Sequence, residues 1–183
     1  MNETELVRDF LGGNPASGRE LVERYADFAM AVAMNVLMNR EDAEDACQEA
    51  FFKAFQHLAS FDQGRSFKPW FSALVYHQCF DQQRKKKNFR AFLSRFGKER
   101  PEEAATPPSD GAEAFPVESS FLRRLKPKER VALFLWAQEE CSGEEIAAVL
   151  GCSRKTAYVH LYRARSRLKT IMKEERHGTP KTL

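Results

Sequence analysis

Nothing in the 183 residues is spaced to hold a metal ion or a nucleotide. The four cysteines, Cys47, Cys79, Cys141 and Cys152, form no C-x-x-C pair, and no histidine stands at zinc-ligand spacing from them. They read as small hydrophobes of a reducing compartment, three or four of them buried. G-x-x-x-x-G-K-[ST] and G-x-G-x-x-G are absent, so no glycine-rich loop cradles a phosphate. H-x-E…P-C-x-x-C and H-E-x-x-H are absent too, which removes the common zinc deaminase and hydrolase layouts. A triad would need one of four histidines (57, 77, 160, 177) beside a nucleophile, and no nucleophile motif is present. Asp42, Glu44, Asp45 and Glu49 share one helical stretch, which cannot wrap them around an ion. The expectation is a protein without catalysis or cofactor. The longest apolar run, Phe28 to Met34, is too short to cross a bilayer, so no stable membrane insertion is expected. Glu3, Glu5 and Asp9 stand where a signal peptide would be basic, so the expected location is the cytoplasm. There is no internal repeat.

What is present is ordinary in amount and uneven in distribution. Hydrophobic residues make up 43% and charged residues 30%, as in a soluble domain, and the net charge is +3. Residues 1–62 hold 12 acidic and 5 basic residues, whereas 63–100 hold 2 and 10. Residues 101–122 carry five acids and no base, and 123–183 carry 7 acids against 14 bases. Two basic blocks separated by an acidic one suggest two contacts with a polyanion.

Helical periodicity runs through most of the chain. Asn14-Pro15 opens a helix with Leu21, Val22, Tyr25, Phe28, Ala29, Val32, Ala33, Val36 and Leu37 at helical spacing, a wide apolar face. Asn39 with Asp42 starts a second, to about Leu58, whose core stripe is Ala43, Cys47, Ala50, Phe51, Ala54 and Leu58. On its outer face Asp45, Gln48, Glu49 and Phe52 fall at i, i+3, i+4 and i+7. Acids near a helix start suit the dipole, but a phenylalanine ringed by polar groups on the wet side suits a partner protein. A loop follows, Phe61 to Lys68. Ser66 then caps a third helix, with Pro69 in its first turn, that leaves through Arg84-Lys85-Lys86-Lys87. Rings beside a basic end are the materials of single-strand binding, and equally of a core tryptophan beside a solvated lysine run. Periodicity fades from Asn88, where Phe89, Phe92, Leu93 and Phe96 make an amphipathic turn or two. The Pro, Glu and Ala-rich stretch beyond reads as a linker.

Order returns at Phe121, Leu122 and Leu125, and Pro127 opens a helix carrying Val131, Phe134 and Leu135. The stretch Ser142–Lys169 then reads as a helix–turn–helix. Ser142 and Glu145 have capping-box spacing, Gly151 supplies the turn, and Ser153 caps a helix with the stripe Ala157, Leu161, Ala164 and Leu168. Its outer face holds Arg154, Lys155, Thr156, Tyr158, Val159, Tyr162, Arg163 and Arg165. That face fits a DNA major groove; a helical hairpin with solvated charges has the same pattern.

Taken together the pieces resemble the bacterial sigma factors, specifically the compact extracytoplasmic-function (ECF) group, over about residues 14–87 and 121–169. Asp42–Phe55, DAEDACQEAFFKAF, is similar to that family's D-A-E-D-x-x-Q-E-x-F signature. The resemblance implies that Asp45, Gln48, Glu49 and Phe52 dock on the clamp of the largest subunit of core RNA polymerase. Phe67-x-x-Trp70-Phe71 through Asp81-x-x-Arg84 resembles the segment that captures unpaired bases of the −10 promoter element. It implies roles for Phe61, Arg65, Phe67, Lys68, Trp70, Phe71, His77 and Arg84. His77 stands where the family commonly has asparagine.

Leu125-Lys126-Pro127, Ser142-x-x-Glu145-Ile146-Ala147 through Leu150-Gly151, and Arg163-Ala164-Arg165 resemble the region that reads the −35 element. This implies contacts by Arg154, Lys155, Thr156, Tyr158, Val159, Tyr162, Arg163 and Arg165. Tyr158 and His160 replace residues that are often basic. The resemblance implies an all-α protein of two small helical domains joined by a flexible linker. The domains expected are 1–87, a linker 88–118, a helix-turn-helix domain 119–175 and a tail 176–183. The partners implied are core RNA polymerase (clamp and flap), promoter DNA and an anti-sigma factor. A stand-alone helix-turn-helix regulator and a sigma-like decoy for an anti-sigma factor stay open as other readings.

Overall fold

The structure, a computed structural model, describes residues 2–95 and 119–178. Those residues are all-helical and fall in two compact units, one carrying α1–α4 and one carrying α5–α8.

In the first unit α1 spans Glu3–Leu11, α2 Pro15–Leu37, α3 Arg40–His57 and α4 Phe67–Arg95, with a single 3₁₀ turn at Leu58–Ser60 after α3. The caps are local chemistry. The Asn14 side chain accepts from the Ala16 amide at 3.1 Å with Pro15 at the first helical position, and the Asn39 side chain accepts from the Asp42 amide at 2.9 Å. Helix α3 meets its neighbours through Ala43, Ala46, Cys47, Ala50 and Ala54, all buried. Small side chains there let α2 and α4 approach closely. The space between is filled by Leu21, Tyr25, Val32 and Val36 of α2 and by Phe71, Val75 and Tyr76 of α4. Phe71 is fully buried, its ring centroid 4.6 Å from Phe51 and 5.9 Å from Tyr25.

Two features differ from the sequence expectation. The first helix is unanticipated. It is closed by a capping box between Asn2 and Glu5 and held on α2 by hydrogen bonds from Tyr25 to Glu3 and from Ser17 to Asp9. Gly18 makes room for it, because a Cβ there would lie 2.7 Å from the Phe10 ring. Second, α4 continues eight residues past Lys87, so the expected linker begins as helix. Phe89 and Phe92 lie exposed on that extension. Phe96 and the rest of the expected linker lie outside the described residues.

In the second unit α5 spans Ser119–Arg123, α6 Pro127–Ala137, α7 Gly143–Leu150 and α8 Arg154–Gly178. Val131, Ala132, Leu135, Ile146, Val149, Leu150, Ala157, Leu161, Ala164 and Ile171 form its core. Two buried charges tie its ends together. Glu129 accepts from the Lys126 amide at 3.1 Å and from Arg167 at 2.9 Å, and Arg130 donates to the Leu125 carbonyl at 2.6 Å. Burial pushes the Arg130 guanidinium down to about 10. Helix α8 runs three residues beyond the expected domain end at Glu175, and residues 179–183 lie outside the described residues. Of the four cysteines, Cys47 and Cys79 are buried; Cys141 and Cys152, at the turns flanking α7, are only partly covered, so two rather than three or four are core. No described helix is long and apolar enough to cross a membrane.

Candidate functional site

On α3 the alanine-rich side faces inward, so residues half a turn away point to solvent. Asp45, Gln48, Glu49 and Phe52 are all exposed, and Phe52 keeps 58% of its surface. The stripe therefore exists as one surface of acid, amide, acid and ring. Asp42, one turn earlier, is engaged by an ion pair with Lys86 of α4. That contact fixes one end of the basic run Arg84–Lys87 against α3.

The loop 61–66 and the start of α4 are built around an aromatic cluster. Ring centroids of Phe61 lie 5.7 Å from Phe67 and 4.9 Å from Trp70, and Phe67 lies 5.0 Å from Tyr25 and 5.5 Å from Phe71. Phe61, Phe67 and Phe71 are buried, at 8%, 3% and 0% exposure. This corrects the expectation that they meet bases, because no ring face is left for stacking. Their spacing places them on the inner side, where they anchor both ends of the loop. Trp70 is half-buried and brings part of its indole to the surface. At the loop's head the Asp62 carboxylate accepts from the Gly64 amide at 3.0 Å and pairs with Arg65 at 3.2 Å. Lys68 Nζ lies 4.9 Å over the Phe28 ring, His77 is exposed, and Arg84 is exposed and paired with Asp81 at 3.0 Å. Trp70, His77 and Arg84 line one side of α4 at seven-residue steps, while Arg65 lies on the loop and Lys68 turns toward Phe28 of α2.

In the second unit the capping box forms: the Ser142 amide donates to Glu145 at 2.8 Å, and the Glu145 amide donates to the Ser142 hydroxyl at 3.3 Å. Gly151 adopts φ 59, the left-handed turn that glycine allows, and the Thr156 amide donates to the Ser153 hydroxyl at 3.2 Å. Helix α8 then buries Ala157, Leu161 and Ala164. It exposes Arg154, Lys155, Thr156, Tyr158, Val159, Tyr162, Arg163 and Arg165, with Tyr162 72% exposed. Every expected residue of this face is at the surface. Four are already in contact, Thr156 through its hydroxyl with that of Ser153 at 2.8 Å. Arg165 lies 5.0 Å over the Trp136 ring, Arg154 lies 5.6 Å over the Tyr158 ring, and Arg154 pairs with Glu144 at 2.6 Å. Hydrogen bonding to Tyr158, then the Glu144 charge, raises the Arg154 pKa further. Burial, then Lys128, lowers that of His160, which Arg163 also lowers and Glu129 partly offsets. His160 therefore contributes a neutral ring at neutral pH.

Family comparison bears on both units. Residues 21–95 match the family description Sigma-70 region 2, and residues 119–168 match Sigma-70 region 4. The chain belongs to the sigma-70 family. Its relatives place it in the ECF group. It is 25% identical to the ECF RNA polymerase sigma factor SigM of Bacillus subtilis, over 83% of this chain and 93% of that protein. It is 31% identical to the RNA polymerase sigma factor YlaC of the same organism, over 78% and 87%. Identity to the RNA polymerase sigma factor CarQ of Myxococcus xanthus is 26%, over 90% and 94%. Among solved structures, it is similar to CnrH in complex with the cytosolic domain of CnrY, with TM-score 0.67, 24% identity and coverage of 93% and 97%. It is also similar to the sigma factor RpoE of Bartonella quintana in complex with the anti-sigma factor NepR, with TM-score 0.67, 25% identity and coverage of 85% and 96%.

As an ECF sigma factor, the chain is an initiation factor that brings core RNA polymerase to promoters. The region 2 match ends at Arg95, as α4 does. The sequence expectation omits three residues of the region 4 surface: Gly143, Glu144 and Trp136. A signal for Trp136 was present, since a stripe of Val131, Phe134 and Leu135 leaves position 136 on the outside. Gly143 and Glu144 carried none beyond their place in the first turn of α7.

Proposed function

We propose that this sigma factor docks on the core polymerase clamp through Asp45, Gln48, Glu49 and Phe52. The observation that carries this is Phe52, held 58% exposed by a helix whose other side is packed on alanines. An apolar ring ringed by polar side chains is the composition of an interface anchor.

Capture of the −10 element falls to the loop 61–66 and the outer side of α4. Phe61, Phe67 and Phe71 form the rigid base, while Arg65, Lys68, Trp70, His77 and Arg84 meet the strand. Flipping a base costs a few kcal/mol, and stacking on a ring returns about 1–3 kcal/mol per base. The half-exposed Trp70 is the ring available for that. The −35 element is read by α8, with Arg154, Lys155, Thr156, Tyr158, Val159, Tyr162, Arg163 and Arg165 at the groove. Phosphate contacts supply affinity and base contacts supply choice. The chain itself catalyses nothing, works in the cytoplasm with the polymerase's clamp and flap as its seats, and is held in check by an anti-sigma factor. The complex of its Bartonella relative with NepR supports that last partner.

The test is run-off transcription with core polymerase on a genomic fragment library. Sigma-dependent transcripts sharing two spaced upstream elements are expected. Transcription independent of added chain, or fragments without common elements, would overturn the assignment.

A further inference from the structure

The first turns of α7 and α8 are locked together by four residues. Arg154, the first residue of α8, pairs with Glu144 at 2.6 Å and lies 5.6 Å over the ring of Tyr158. The Tyr158 ring in turn lies against Gly143, the neighbour of Glu144. A Cβ on Gly143 would stand 2.7 Å from both the ring's Cζ and the hydroxyl, closer than real Cβ contacts come. The contacts therefore close a circuit: Gly143 to Tyr158, Tyr158 to Arg154, Arg154 to Glu144, and back along the chain.

An exposed ion pair of this kind adds little to stability. Its consequence is conformational. Arginine carries about 2 kcal/mol of rotamer entropy, and here a carboxylate and a ring hold it in one orientation before DNA arrives. The position matters because the first residues of a recognition helix are the ones that reach base edges. Arginine is also the side chain that reads guanine through O6 and N7 with two hydrogen bonds. The Glu144 carboxylate further opposes the nearest alternative, in which Arg154 turns to a phosphate. It offers the guanidinium a competing anion and repels the backbone.

We infer that Glu144 and Gly143 are positioning residues for promoter recognition: they hold Arg154, through Tyr158, for base reading rather than phosphate binding. The inference rests on the assignment of α8 to the −35 element. It separates two roles on one helix face, Arg154 as a reader of sequence and Arg163 as a holder of phosphate. It also gives Tyr158, where the family often has a basic residue, a supporting role behind Arg154.

The experiment measures competition of −35 duplex variants for the holoenzyme, one base changed at a time, at two or more salt concentrations. Arg154→Ala should lose discrimination at one base position by about tenfold, the worth of one bidentate contact. Glu144→Gln should lose discrimination at that same position while steepening the salt dependence, as the freed arginine moves to a phosphate. A merely structural loss would weaken binding and leave discrimination intact. Gly143→Ala should act like Glu144→Gln, and Gly143→Ala with Tyr158→Ala should relieve the collision without restoring discrimination. The double variant Glu144→Gln with Arg154→Ala should be no worse than Arg154→Ala alone. Additive losses in that double variant, or a loss at a different base, would overturn the positioning role while leaving the −35 assignment standing. Unchanged −35 selection by Arg154→Ala together with unchanged −35 affinity and salt slope for Arg163→Ala would overturn the −35 assignment and the positioning role with it.

Discussion

Phe52→Ala should separate docking from folding. A fully covered phenylalanine removes about 200 Å² from water. With 58% of Phe52 exposed in the free chain, docking would cover about 115 Å², or about 3 kcal/mol at about 25 cal/mol per Å². That corresponds to about a hundredfold rise in Kd for core polymerase. The fold should notice little. More than half of the ring is exposed, alanine is the better helix former by about 0.5 kcal/mol, and surface substitutions stay within about 0.5 kcal/mol. Adding Glu49→Lys reverses the charge just under one turn before the ring and should take the remaining affinity below detection. The assay is titration of labelled chain with core polymerase, beside a thermal melt of each variant. A Kd within about threefold of the parent, with an unchanged melt, would refute the docking argument, because about 3 kcal/mol cannot vanish from a central anchor.

Three further outcomes follow from the geometry. Arg163→Ala should weaken binding to all promoter duplexes alike and lower the salt slope by about one, which a filter-binding series at several salt concentrations would read. His160 has a lowered folded pKa, so its unfolded form binds the proton more readily. The His160 contribution to stability is present above its ordinary value of about 6.5 and is lost as pH falls below it. Melts between neutral pH and mildly acidic buffer should therefore show a declining midpoint for the second unit, and His160→Gln should flatten that decline. Burial pushes the Cys47 and Cys79 thiols up to about 12. A thiol reagent should modify Cys141 and Cys152 quickly in the native protein and reach Cys47 and Cys79 only in denaturant, as peptide mapping would show.

The helices that sequence exposes are those whose ends are fixed by neighbours in the chain. Asn39 with Asp42 and Ser142 with Glu145 form the caps that their spacing implies, and the apolar stripes that follow are buried except at Phe51 and Leu168, which are half-covered. The first helix escapes because it buries only Leu6 and Val7 and depends on Tyr25 and Ser17, distant in sequence, for its hold. Its Asn2–Glu5 capping box was the readable signal. The end of α4 is misplaced for another reason. Loss of apolar period marks where burial stops, not where helix stops. Lysine, arginine and glutamine are good helix formers, and no proline or glycine occurs between Pro69 and Gly97. The aromatic residues show the limit most clearly. Phe67 and Phe71 are one helical turn apart and share the inner side with Val75, a spacing that already favours core. The family resemblance, not the spacing, assigned them to bases.

The cations of the proposed DNA faces are not bare in the free protein. Arg65 pairs with Asp62, Arg84 with Asp81, Lys86 with Asp42 and Arg154 with Glu144. The Arg65 and Arg84 pairs are exposed and cost little to open, within about 1 kcal/mol, so a phosphate can replace the carboxylate readily there, whereas Asp42 is mostly covered and Arg154 is also held by the Tyr158 ring. The carboxylate stays nearby after the exchange and repels the backbone it has yielded to. The two basic blocks therefore attract duplex DNA less than their charge suggests, and by an amount that does not depend on sequence. Base contacts lack that penalty when they use the pair's own orientation, as Arg154 would. A face built this way trades non-specific affinity for choice. That suits a factor whose proposed seat on the polymerase, through Phe52 and its acidic neighbours, would supply binding that the DNA contacts do not need to provide alone.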